Sequence, residues 1–158
     1  MKNLEKRLYG FVNYQLTGIQ KGIQFGHAAV KLGREISKSD DEELKEIWND
    51  WADNWQTFII LDGGTTNDNS LYPGTINQYY DKFIEAGIPC QRFREPDLGN
   101  QVTAFVFLAD ERVFNRKKYP DFEKKWYNLP FYNNWVKSIG GEKNLFLRNF
   151  LRDKKLAQ

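Results

Sequence analysis

Leu8-Tyr9-Gly10-Phe11-Val12-Asn13-Tyr14 leads, after a short polar link, into Gln20-Lys21-Gly22-Ile23-Gln24-Phe25-Gly26-His27-Ala28-Ala29. The first run is short, aromatic and β-branched, which reads as a buried strand. The second carries helical spacing, with Ile19, Ile23, His27/Ala28, Val30 and Leu32 expected on one apolar face of a helix over residues 19–36. Gln24 and His27 are three apart, so a helix turns them the same way. Gly22, Gly26, Ala28 and Ala29 leave little bulk around them, so a backbone or a ligand can approach closely. Polar groups on a helix start just past a strand suit the binding crevice of an α/β fold. A close-packed helix with a satisfied structural histidine is the competing reading.

The rest of the chain extends that pattern. Ser39-Asp40-Asp41-Glu42 is a helix start, followed by Leu44, Ile47, Trp48 and Trp51 toward the core. Thr57–Leu61 reads as a second strand, closed by the polar loop Asp62-Gly63-Gly64-Thr65-Thr66-Asn67-Asp68-Asn69-Ser70. A helix over 75–86 carries Ile76, Tyr79, Tyr80, Phe83 and Ile84 inward and stops at Gly87. Residues 88–94 and 102–108 complete four strands. Strands alternating with helices predict an α/β domain with a small mixed four-stranded sheet. The core is expected over 1–110, and 111–158 as a C-terminal helical extension packed on the same domain. Trp126, Phe131, Tyr132 and Trp135 are its expected anchors, and covering a sheet edge is one role open to it.

Composition narrows the function classes. The net charge is +2 over 158 residues, too small by itself to indicate nucleic acid. One cysteine, Cys90, and one histidine exclude a disulfide framework and a Cys/His zinc cluster. Asp62, Asp68 and Asp81 lack calcium-loop spacing, so no metal and no cofactor is expected. No apolar run is long enough to span a bilayer, and the charged start of the chain has no signal-type stretch behind it. A cytoplasmic protein without membrane attachment is expected, as a monomer or a homodimer.

Two separated motifs carry a family resemblance. Gln24-Phe25-Gly26-His27-Ala28 resembles the second half of the Lys-Gly-Lys-Ile-Ala-Ala-Gln-x-x-His-Ala motif of the type II peptidyl-tRNA hydrolases. Asp97-Leu98-Gly99-Asn100-Gln101 stands where that family has Asp-Ala-Gly-x-Thr before its last strand. The matched order of elements covers residues 7 to 109. The Glu95-Pro96-Asp97-Leu98 run is also similar to that of small phage-encoded proteins.

The resemblance implies a tRNA ester hydrolase with Asp97, Gln20, Thr103 and Gln101 in the catalytic positions. Lys21, Gln24, His27, Asn100 and Arg94 would then contact substrate. The departures are equally specific: the family's lysine falls on Gln20 and its threonine after Asp-Ala-Gly on Gln101. Lys21 faces about 100° away from Gln20 on an ideal helix. Asp97 can act as a general base and amides can hold an oxyanion, but neither glutamine supplies charge. The alternative is a non-catalytic module on the same fold, binding a nucleotide, an RNA or a protein partner. Amide side chains match a base edge, and Arg92 and Arg94, two apart on one strand face, can meet phosphate.

Overall fold

The computed structural model describes residues 3–158, without the Trp126 side chain. Met1 and Lys2 of the N-terminal reading, and Trp126 as an anchor, therefore lie outside the described residues. Four strands form one mixed sheet in the order β2-β1-β4-β3: β1 (Lys6–Val12), β2 (Thr57–Asp62), β3 (Cys90–Glu95) and β4 (Gln101–Asp110). β1 runs parallel to β2 and antiparallel to β4, and β3 pairs antiparallel with β4. The expected α/β domain with a four-stranded mixed sheet is what the chain forms. Among the described residues no helix is long and apolar enough to cross a membrane.

Each face of the sheet is covered. On one side lie α1 (Gly18–Lys38), α2 (Glu42–Asp50) and the π-helical turn Trp51–Trp55. Phe25, Ala28, Ala29, Leu32 and Ile36 of α1 pack there on Leu8, Val12, Ala104 and Val106. Gly10 makes this approach close, because a Cβ at that position would stand 2.6 Å from the Phe25 ring. The buried stripe of α1 is only partly the one the sequence suggested: Ala28 and Leu32 are buried as expected. Ile19, Ile23 and Val30 are exposed, whereas Lys21 and Gln24 are buried. The stripe at 25, 28, 29, 32 and 36 has the better helical period, and its alanines let the helix sit close to the strands.

α2 begins two residues later than a Ser39 cap would start it. Asp41 caps it, accepting from the Leu44 N–H at 3.0 Å, while Ser39 ends α1.

On the other face lie α3 (Thr75–Glu85) and α6 (Glu142–Leu151), the latter from the C-terminal extension. Phe83 is fully buried and meets Phe105, Phe107, Phe146 and Phe150, with ring centroids between 4.5 and 5.2 Å. Ile84, expected to face inward, is exposed because Ile76 and Phe83 already fill the inner side of α3. Gly74 ahead of α3 admits no side chain, since a Cβ would lie 2.4 Å from the Asn67 nitrogen.

The extension folds as α4 (Glu111–Phe114), α5 (Leu129–Ser138) and α6, and its last residues return to the sheet. Leu156 bridges Leu61 antiparallel, the Asp62 N–H donates to the Lys155 carbonyl, and the Ala157 N–H donates to the Ile60 carbonyl. The tail thus covers the open edge of β2. Tyr132 and Trp135 cluster with Phe122, but Phe131 is exposed and anchors nothing.

The deeper anchor is ionic. Arg148 is 1% exposed, donates to Asp121 at 2.7 Å and to the Arg112 carbonyl at 2.6 Å. Arg116 and Arg152 approach the same carboxylate. Burial pushes the Asp121 carboxyl up, but the Arg148 hydrogen bond and the Arg116 charge outweigh it and hold it below the ordinary range. A depressed carboxyl stabilises the fold above its unfolded pKa and loses that contribution as pH falls through the folded value. Chemical denaturation of Asp121→Ala should therefore show a loss of roughly 1–2 kcal/mol at neutral pH, because Arg148 loses its counter-charge but keeps the Arg112 carbonyl, and the exposed Asp121 is screened by solvent. The deficit relative to the natural sequence should shrink below about pH 4; a constant deficit across that range would contradict this assignment.

Candidate functional site

The polar residues picked out by sequence gather at one end of the sheet, but on two faces of edge strand β3. β3 and β4 pair Phe93 with Ala104 and Arg94 with Val102, so Thr103 is an extra residue on β4. A bulge of this kind re-aims side chains. Here Val102 joins the core under α3, while Thr103, 2% exposed, turns to α1. Its hydroxyl donates to Gln24 Oε1 at 2.5 Å, and Gln24 Nε2 donates to Glu95 Oε2 at 2.7 Å. Glu95 Oε1 in turn accepts from the Asp97 N–H at 3.3 Å. One chain of hydrogen bonds thus ties β4, α1, β3 and the turn Pro96–Leu98. The Gln24 hydrogen bond, then the Asp97 N–H, hold the half-buried Glu95 carboxyl below its ordinary range, with a further contribution from His27.

Other candidates have local duties. Gln20 closes the start of α1: its N–H donates to Thr17 Oγ1 at 3.3 Å, and its Oε1 accepts from the Thr17 N–H at 3.1 Å. This reciprocal cap uses the side chain that the resemblance placed at the reacting centre. Lys21 points inward, 9% exposed, and donates to the Gln158 carbonyl at 2.6 Å. Asp97 is exposed and pairs with no cation among the described residues. Gln101 is exposed across from Glu95. His27 is exposed and stacks on Phe93, with centroids 4.6 Å apart and planes at 22°.

Arg94 faces away from Gln24. Phe93 belongs to the α1-side core and Glu95 meets Gln24, whereas Arg92 lies over the Tyr80 ring at 4.9 Å on the α3 side. On that side Arg94 donates to Asp68 Oδ2 at 2.9 Å and to the Asn100 carbonyl at 3.1 Å. Asn100 takes the left-handed backbone conformation, φ 59°, which presents its carbonyl to Arg94. A polar cavity of about 250 Å³ lies there, between the 67–70 loop, α3 and β3. A larger one of about 430 Å³ sits at the opposite end of the sheet, between Leu32, Ile36, Ile88, Leu108 and Leu147. None of the candidates named from sequence lines it.

Glu95, the hub of the hydrogen-bond chain, and Asn13 were missed as site residues. Alternation could have found Glu95: with Arg92 and Arg94 on one face, Phe93 and Glu95 must share the other. Asn13, buried at the end of β1, donates from Nδ2 to Thr66 Oγ1 at 2.8 Å, and Thr66 donates to the Val102 carbonyl at 2.6 Å. That contact spans the bulge and leaves no local signal. No cluster of His, Cys, Asp and Glu fit to hold a metal occurs among the described residues. Burial pushes the Cys90 thiol up to about 12, which makes it a poor nucleophile. No protein-family model matches the chain, and no curated protein matches it.

Gln24→Leu removes the amide that ties Glu95 to Thr103. A carbon-detected NMR titration should show the Glu95 carboxyl moving up toward its ordinary value, with the fold weakened by roughly 1–3 kcal/mol as the Thr103 hydroxyl loses its acceptor. An unmoved Glu95 titration would mean that this amide does not set its charge.

Proposed function

We propose that the chain is a non-catalytic binding module for a nucleotide unit, free or in RNA, on a fold similar to that of the type II peptidyl-tRNA hydrolases. The supporting observation is the commitment of the residues aligned with the hydrolase machinery. Gln20 is the helix cap, Gln24 and Thr103 are bonded to each other and to Glu95, and Lys21 is bonded to Gln158. Ester hydrolysis needs an activated water and donors aimed at a developing oxyanion. Among the described residues Asp97 would have to supply the base with no cation paired to it, and Lys21, next to the position of the family's lysine, is engaged by the Gln158 carbonyl.

Binding asks for less. The exposed His27 ring, held flat on Phe93, is a planar surface on which a base can stack without sequence preference. The glycines at 18, 22 and 26 have open space around them, though on other faces of the helix than His27. On the reverse face of β3, the arginines and the amide-rich loop offer donors and acceptors.

Purified protein mixed with N-blocked aminoacyl-tRNA should bind it and release no N-blocked amino acid above the uncatalysed rate. His27→Ala should weaken that binding about tenfold, the effect of removing one stacking platform, while Asp97→Asn leaves it unchanged. Turnover that Asp97→Asn abolishes would overturn this reading in favour of the hydrolase.

A further inference from the structure

The 250 Å³ cavity beside β3 contains two unlike charges that the fold leaves uncommitted. Arg94 is taken by Asp68, and Asp68 also accepts from Asn77 Nδ2 at 2.8 Å. That leaves Arg92 and Asp81, which both line the cavity. Neither enters an ion pair with the other or with any described residue. Tyr80 of α3 carries the Arg92 guanidinium over its ring at 4.9 Å. A stacked guanidinium is pre-oriented, so its rigid N–H fork is ready for a planar acceptor edge. Asp81 presents only acceptors.

The paired charges cancel, and so do the two that remain. A cavity of zero net charge does not favour a bare phosphate, nor a simple cation. It favours a ligand that carries an acceptor edge and a donor edge together. Its volume is below the usual range for sites that enclose a whole small-molecule ligand, which suits a single base. Among the common bases, guanine presents two adjacent acceptors, O6 and N7, for an arginine fork. Its N1–H and N2–H₂ form the adjoining donor edge for a carboxylate.

We propose that this cavity is a guanine-type base site, with Arg92 donating to O6 and N7 and Asp81 accepting from N1–H and N2–H₂. The inference rests on the nucleotide-binding reading and adds which base is held and where. The base could belong to a free nucleotide or to an RNA, which share this chemistry. The site lies on the α3 side of β3, whereas the His27–Phe93 platform lies on the α1 side.

Calorimetric titration with GMP, AMP, XMP and a guanosine trinucleotide tests it. The natural sequence should take GMP about tenfold or more tightly than AMP, the discrimination of one bidentate pair. Asp81→Asn should lose about that factor for GMP and gain for XMP, because an amide donor then meets the carbonyl at C2. Arg92→Lys should weaken GMP while keeping the charge, since an ammonium lacks the fork. Both positions face the cavity rather than the core, and unchanged melting temperatures would verify that the variants fold. Tighter binding of the trinucleotide assigns the base to RNA, and tighter binding of GMP assigns it to a free nucleotide. Equal GMP and AMP affinities, or an Asp81→Asn protein with unaltered preference, would overturn the base site. If His27→Ala still weakens nucleotide binding in that case, the broader reading stands. Failure of every nucleotide and RNA to bind would overturn both.

Discussion

The extra residue that β4 inserts opposite the Phe93–Arg94 step is the constraint on which this end of the molecule depends. Without it, Thr103 would share the face of Phe105 and Phe107 and lie in the aromatic core under α3. With it, a buried hydroxyl reaches Gln24 on α1, and Gln24 reaches Glu95 on β3. Leaving any one of these groups unpaired costs more than the pair contributes when made, so the chain of bonds behaves as a unit. It fixes α1 against the edge strand and, through Phe93, fixes the surface on which His27 rests. The same bonds use up the side chains that a hydrolase of the resembled type would need free.

The C-terminal extension closes the opposite edge of the sheet. Its last residues run beside β2, and its Gln158 carbonyl satisfies Lys21. A buried ammonium without such an acceptor would be costly, so the tail explains why a lysine is tolerated one residue beyond the place that the resemblance marks. Arg148, buried, plays the matching part inside the extension by gathering Asp121 and the Arg112 carbonyl. An unpaired edge strand invites association with other chains. Here the C-terminal residues cover β2, and both proposed contacts lie on the two faces of β3, the strand at the other edge.

The sequence was legible where the physics is local. Strand and helix order, Gly87 with its positive φ, and the aromatic strands β1 and β4 follow from period and turn chemistry, and the structure contains them. The facing of α1 was misread because Ile19, Ile23 and Val30 drew attention. Alanines and Phe25, with a better period, do the packing. At the site, Gln24 and Thr103 were recognised as polar residues near a crevice, and their pairing was not. A bulge cannot be read from one strand, because it is a mismatch with another. The separation of Arg94 from Gln24 was readable, since alternate residues on a strand face opposite ways. The contacts of Lys21 with Gln158 and of Arg148 with Asp121 join distant segments and had no local signature.

We propose that edge strand β3 binds ligand on both of its faces and that the protein does not carry out the ester hydrolysis of the resembled enzymes. Backbone amide shifts recorded during addition of a short guanosine-containing RNA address it directly. Changes should concentrate at residues 24–27, 67–70 and 91–95, and an N-blocked aminoacyl ester on the 3′ end of that RNA should remain intact. Changes centred on the larger cavity beside Leu108 and Leu147, or no changes at all, would contradict the account.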